Sequence, residues 1–212
     1  MVQLPRVHPY ELDHHLFSTA REQEGPAFAL YPFHTRAVVA GKGSDLDREI
    51  RISRCLEDGV WIYRRMGGGC SVFLDPGTLV VSLACPSPGI SGIQTLFKAC
   101  ACWLLNGLKS IGVEGVYLDG NSDIVIQNKK VGGSCFYRSR GMGYYTASLL
   151  VEPDIDGMER YLKFPPRQPD YRENRCHKDF VTSLCHYTCG RDLHSILSAL
   201  TPHLNTGLTQ LV

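Results

Sequence analysis

Residues 63–77, YRRMGGGCSVFLDPG, run two arginines into three glycines, then into small and apolar residues and a turn at Asp75-Pro76-Gly77. The stretch has two readings. One is a plain connection between strands. The other is a loop wrapped around an anionic ligand. Gly67, Gly68 and Gly69 admit positive φ and let backbone N–H groups approach a ligand closely. Consecutive N–H groups form anion-binding nests, and Arg64 or Arg65 supplies charge. If the arginines end a strand they point to opposite faces, so at most one reaches the ligand side. No G-K-[ST] follows, so this is not a Walker A loop, and it is not G-x-G-x-x-G either.

Two further groups could serve the same ligand. NKKVGGSC, residues 128–135, sets Lys129 and Lys130 before Gly132 and Gly133. In a strand one lysine faces solvent and the other the sheet face. The glycines remove bulk beside it. DGNSD, residues 119–123, brings Asn121 and Asp123. These are ordinary turn residues, and also hard oxygen ligands suited to Mg²⁺ beside phosphates. A third cluster, Cys176, His177, Cys185, His186 and Cys189, holds soft-metal ligand types, but its spacing matches no standard zinc pattern and reads as reduced thiols on a helix.

The elements that must position these groups follow from periodicity. A first helix is expected over 11–22, with Leu12, Leu16 and Phe17 near helical spacing. Residues 28–41 read as two strands around a turn at Pro32, 45–59 as a short helix stopped by Gly59, and 60–65 as a strand. TLVVSLAC, 78–85, reads as a buried strand. The longest helical pattern spans 91–112 and closes at Gly112. VYLDG follows. DIVI, a Gln127-Asn128 turn and KKVGGSCFYR form a hairpin, and GYYTASLLVE is a further strand. Residues 157–164 read as a short helix or turn, 165–174 as a mobile segment, and 177–185 and 194–200 as helices. Strands dominate the middle with no βαβ rhythm. The expectation is an α+β fold: a mixed or antiparallel β-sheet with packed helices, in one domain over 1–212.

A chain of 212 residues that is 43% hydrophobic can bury its own core. A net charge of +1 argues against nucleic acid as a partner. No apolar run reaches membrane-span length and no secretory signal is visible, so the expected compartment is the cytoplasm, with no membrane partner. Nine cysteines, an odd number, argue against a disulfide framework.

The ordered set RR-x-GGG, N-x-D, K-x-GGS resembles the lipoate–protein ligase A catalytic domain, within the biotin and lipoate ligase and octanoyltransferase superfamily. The resemblance covers roughly residues 9–185. ELDHHLF sits where that family has its first helix, and AVVAGKGSD is similar to its V-V-I-G-R-x-Q-N turn. YRRMGGGCSVFLDPGTL is similar to R-R-x-S-G-G-G-A-V-x-H-D-x-G. DGNSDIVIQNKKVGGSCF is similar to G-R-N-D-L-V-V…R-K-x-S-G-S-A, and GYYTASLLV to the H-H-G-T-L-L strand. The chain departs at Gly67 for serine, Cys70 for glycine, Ser71 for alanine, Leu74 for histidine, and YTAS for HHGT.

The resemblance implies ATP-dependent conversion of lipoate to lipoyl-AMP, then transfer to a lysine of a lipoyl carrier. That carrier would be an E2 lipoyl domain, a glycine-cleavage carrier or similar. It implies Lys130 as the catalytic residue, holding carboxylate and phosphate oxygens. Arg65, Gly67, Gly68, Gly69, Cys70, Ser71, Val72 and Phe73 would bind nucleotide and line the acyl tunnel, with Asn121, Gly132 and Gly133 beside them. Asp123 would face Mg or phosphates. The family's accessory domain is expected as a separate subunit. An alternative is an ATP-independent octanoyl or lipoyl acyltransferase with a cysteine thioester. Residues 103–134 contain no cysteine, which leaves Cys176 as its nucleophile. Another is a catalytically idle protein that binds lipoyl domains. A biotin ligase is disfavoured because its G-R-G-R-x-G-R-x-W motif is missing.

Overall fold

The computed structural model describes residues 5–87 and 92–211. Two sheets form its frame. The larger is antiparallel and has six strands. In chain order these are β2 (Ala27–Pro32), β6 (Thr78–Pro86), β7 (Tyr117–Asp119), β8 (Asp123–Ile126), β9 (Lys129–Ser139) and β10 (Met142–Leu150), arranged in space as β2-β6-β10-β9-β8-β7. The smaller sheet is mixed, in the order β1-β4-β3-β5. Its strands are β1 (Val7–Pro9), β3 (Ala37–Ala40), β4 (Trp61–Arg64) and β5 (Val72–Leu74). The α+β expectation holds.

The continuous apolar run of β6 has a simple cause: both its faces are covered. Leu79, Val81 and Leu83 join a core with Leu104 and Leu108 of α4 (Ile93–Ser110) and with Ile196, Leu200 and Leu204 of α7 (Leu193–Gly207). Gly112, at φ 90°, ends the α4 segment as expected, whereas the expected helix start at Ser91 lies outside the described residues. Val80, on the opposite face of β6, packs with Val39 and Leu74 of the smaller sheet, and that cluster ties the two sheets together. The hairpin turn falls at Gln127 and Asn128, both with positive φ, as a two-residue turn demands.

Three expectations are corrected. The helix over 45–59 is two: α2 (Leu46–Glu49) and α3 (Ile52–Glu57). Ile50 is extended and bridges Leu162, while Arg51 N–H donates to the Tyr161 carbonyl at 2.8 Å, so sheet-like pairing interrupts the helix. The first helix, α1 (Leu16–Glu22), starts later than expected. Leu12 is exposed and Asp13 is buried, the reverse of the amphipathic reading. The helix over 177–185 is cut to α6 (His177–Phe180) and a 3-10 turn at Leu184–Tyr187. Val181 pairs with Lys130, and Thr182 N–H donates to the Lys130 carbonyl at 2.9 Å. Two β-branched residues favour that pairing over another helical turn. Cys185 and Cys189 therefore do not share a helix face. Among the described residues no group of three His, Cys, Asp or Glu could hold a metal ion, and no helix is long and apolar enough to cross a membrane.

Candidate active site

A cavity of ≈ 860 Å³ lies between the sheets. Strands β9 and β10 wall one side. Strand β5 and the glycine loop wall the other. Arg65, Gly68, Gly69, Cys70, Ser71, Val72, Phe73, Asn121, Asp123, Lys130, Gly132 and Gly133 all line it. Segments far apart in sequence thus meet at one place, as the motif order required. Two candidates stand apart. Gly67 backs onto Cys135, whose sulfur a Cβ there would strike. Cys176 is exposed, does not line the cavity, and donates its thiol hydrogen to Asp179 Oδ2 at 3.1 Å.

The two arginines do diverge. Arg64 Nη1 donates to the carbonyls of Gly41, Lys42 and Ser44, outside the cavity. Arg65 donates to the carbonyls of Val39 (2.9 Å), Gly68 (2.7 Å) and Cys70 (2.9 Å). Its guanidinium is a splint inside the loop, so it shapes the ligand wall as well as charging it. Gly69, at φ 94°, lies against that guanidinium, where a side chain would both strain the backbone and crowd Nη2.

Glu49, which the motifs did not flag, locks the loop from below. It is 4% exposed. Its Oε2 accepts from Ser71 N–H (2.6 Å), Ser71 Oγ (2.7 Å) and Ser44 Oγ (2.8 Å). A buried carboxylate needs such donors. Its position three residues after Leu46 puts the two on one face of α2.

Of the two lysines, Lys129 is exposed and Lys130 enters the cavity. Lys130 Nζ is 2.7 Å from Asp123 Oδ1, and Tyr171 donates its hydroxyl to Asp123 Oδ2 at 2.9 Å. Burial, then the Asp123 charge, pushes the Tyr171 phenol up, so it stays a donor. A Cβ on Gly133 would stand 3.0 Å from Lys130 Nζ and 3.1 Å from its Cε, so glycine there leaves the side chain uncrowded beside Asp123. Both oxygens of Asp123 are thus engaged.

The segment over 165–176 crosses the cavity mouth. Arg172 is 5% exposed, lies over the Phe180 ring at 4.6 Å, and has its basicity lowered by burial. His177 lies 3.5 Å from Glu159. Burial, then the Arg172 charge, holds His177 below its ordinary value despite Glu159, and Lys130 adds to that push. A folded-state pKa below the unfolded one means that the unfolded chain takes the proton first. Stability from this group is present above pH 6.5 and is lost as pH falls towards the folded value. The thermal midpoint is expected to drop below pH 6.5, and His177→Gln to flatten that drop in pH-resolved melting curves.

The comparisons with known proteins agree with this geometry. Residues 7–204 match the model of the Lipoyl protein ligase A/B catalytic domain. A lipoate-protein ligase A from Blochmanniella pennsylvanica (strain BPEN) is 30% identical over 142 residues, covering 64% of this chain and 38% of that protein. The chain therefore spans well under half of that curated relative. Among solved structures, a bi-partite lipoate protein ligase described with its E2 lipoyl domain from Thermoplasma acidophilum superposes with a TM-score of 0.74 at 21% identity, over 97% of this chain and 82% of that one. A lipoate-protein ligase A bound with ATP superposes with a TM-score of 0.73 at 20% identity, over 98% and 86%. These likenesses establish a shared fold. With the family match over 7–204, they place the chain in the lipoyl protein ligase A/B catalytic domain family.

Proposed function

We propose that the chain activates lipoate with ATP and passes the acyl group to a lysine of a lipoyl carrier domain. The observation that carries this reading is Lys130, an ammonium held by Asp123 in a cavity whose opposite wall is the glycine loop. In the first step a lipoate carboxylate oxygen attacks the α-phosphorus of ATP, and pyrophosphate leaves with the electrons of the broken P–O bond. Lys130 offsets the charge shared by carboxylate and α-phosphate oxygens. Gly68 and Gly69, which line the same cavity, leave room for backbone N–H groups to approach those oxygens. In the second step the carrier's lysine amine attacks the acyl carbonyl, AMP leaves with the C–O electrons, and the amine proton passes to solvent. Asp123 and Tyr171 keep Lys130 aimed. Arg65 and Glu49 keep the loop in shape.

The bi-partite neighbour, described with its E2 lipoyl domain, supports a lipoyl domain as partner here and a separate accessory subunit. The thioester alternative has less behind it, since Cys176 stands outside the cavity lining. The test is the intact mass of a lipoyl domain incubated with the chain, ATP and lipoate, where acylation at its lysine is expected. Cys176→Ser should acylate as well as the parent. Loss of transfer in that variant, together with transfer from an acyl thioester without ATP, would replace this reading with the transferase.

A further inference from the structure

The inner end of the cavity is polar in a directed way. One face of the larger sheet presents three successive rungs across β6, β10 and β9: Val80, Ser148 and Gly133; then Ser82, Thr146 and Cys135; then Ala84, Tyr144 and Tyr137. Lys130 Nζ stands at the first rung, beside Gly133. Thr146 and Cys135 line the cavity at the second, about 7 Å further in. Tyr137 and Tyr144, with ring centroids 5.2 Å apart, close the third under Phe17. An acid with its carboxylate at Lys130 runs its chain along this face towards Thr146 and Cys135 at the second rung.

Behind that end lies Asp13, 3% exposed. Three hydroxyl groups donate to its Oδ2: Ser82 (2.5 Å), Tyr31 (2.7 Å) and Tyr144 (3.3 Å). A carboxylate is an acceptor only, and each hydroxyl has one hydrogen. Ser82 spends its hydrogen on Asp13. The hydrogen between Ser82 Oγ and Thr146 Oγ1, 3.3 Å apart, must therefore come from Thr146. Tyr10 also lines the cavity, and Tyr31 commits its hydrogen to Asp13. Asp13 thus draws the Thr146 hydrogen away from the cavity through Ser82. With its hydrogen given to Ser82, Thr146 has only acceptor lone pairs left for a ligand in the cavity it lines.

We infer that this is a distal subsite for an acyl chain whose far end donates hydrogen bonds. Resting on the function proposed above, the match within the lipoate class is the reduced dithiol, ahead of the disulfide form and of a methyl-ended octanoyl chain. Two S–H groups supply donors. A ring disulfide supplies only weak acceptors, and a methyl group leaves the acceptors without partners.

The test is calorimetric titration of the full chain with dihydrolipoate (anaerobic), lipoate and octanoate. Dihydrolipoate is expected to bind on the order of fivefold tighter than octanoate, and tighter than lipoate. Thr146→Val should bring dihydrolipoate and octanoate to within roughly twofold. Ser82→Ala returns the Thr146 hydrogen to the cavity and should narrow the gap between dithiol and disulfide. Equal binding of the three acids to the parent, or an unchanged ratio in Thr146→Val, overturns the subsite. Pyrophosphate release, measured in parallel, separates the two ideas. If release occurs at equal efficiency with all three acids, the ligase stands and the subsite falls. If the binding order holds without release, the subsite stands and the ATP-dependent reading falls. If no acid binds, both fall.

Discussion

Lys130→Ala is expected to lower lipoate-dependent pyrophosphate release at least about 10²-fold, the scale on which removing one preorganised charge partner acts. Fold should survive, because the side chain is not part of the core and its backbone bonds to Thr182 remain. One cost is local. Asp123 loses its cation but keeps the Tyr171 hydroxyl, so a modest loss of stability is expected beside a near-complete loss of turnover. Lys130→Arg tests geometry separately from charge, since a planar fork does not fit where a point ammonium sits against Gly133. Full activity in Lys130→Ala, with an unchanged melting curve, would remove the lysine from the mechanism.

Glu49→Ala should have the largest effect on the fold of the site. It strands the Ser71 N–H and hydroxyl, and leaves the Ser44 hydroxyl only the Gly69 carbonyl at 3.2 Å. Hydrogen bonds to a charged group are worth more than neutral ones, and buried donors left unpaired carry their own penalty, so a loss of roughly 2–4 kcal/mol is expected. For a chain of this size that is about 10 °C in thermal midpoint. The KM for lipoate should rise as the glycine loop loosens. Glu49→Gln keeps the shape but brings two hydrogens of its own, and should fall between the two. A melting midpoint within error of the parent would show that Ser71 finds another acceptor.

The strand pattern, the hairpin turn and the long helix were all legible in sequence because they rest on local periodicity and turn chemistry. So were most of the residues that line the cavity from the glycine-rich stretches with cations beside them. What escaped was set by contacts across the chain. Tyr171 reaches Asp123 over 48 positions, and Arg172 meets Phe180 through a loop that looked merely mobile. Nothing within DYREN announces that its tyrosine fixes Asp123, the partner of Lys130, 48 positions upstream. The helix expected over 177–185 failed for the same reason: Val181 and Thr182 have a better partner in Lys130 than in the next turn. Asp13 was the sharpest reversal. In ELDHHLF the leucine looked inward and the aspartate outward, yet hydroxyls of Tyr31, Ser82 and Tyr144, none near it in sequence, draw the carboxylate in.

The most direct test of the central claim is pyrophosphate release from ATP with and without added lipoate, using Lys130→Ala as the control. The ligase account predicts release that depends on lipoate, that continues without any carrier protein, and that is lost in the variant. Release that ignores lipoate, or that persists undiminished in Lys130→Ala, would contradict it. So would an absence of release alongside carrier acylation from a thioester donor, which would move the chemistry from adenylate formation to direct acyl transfer.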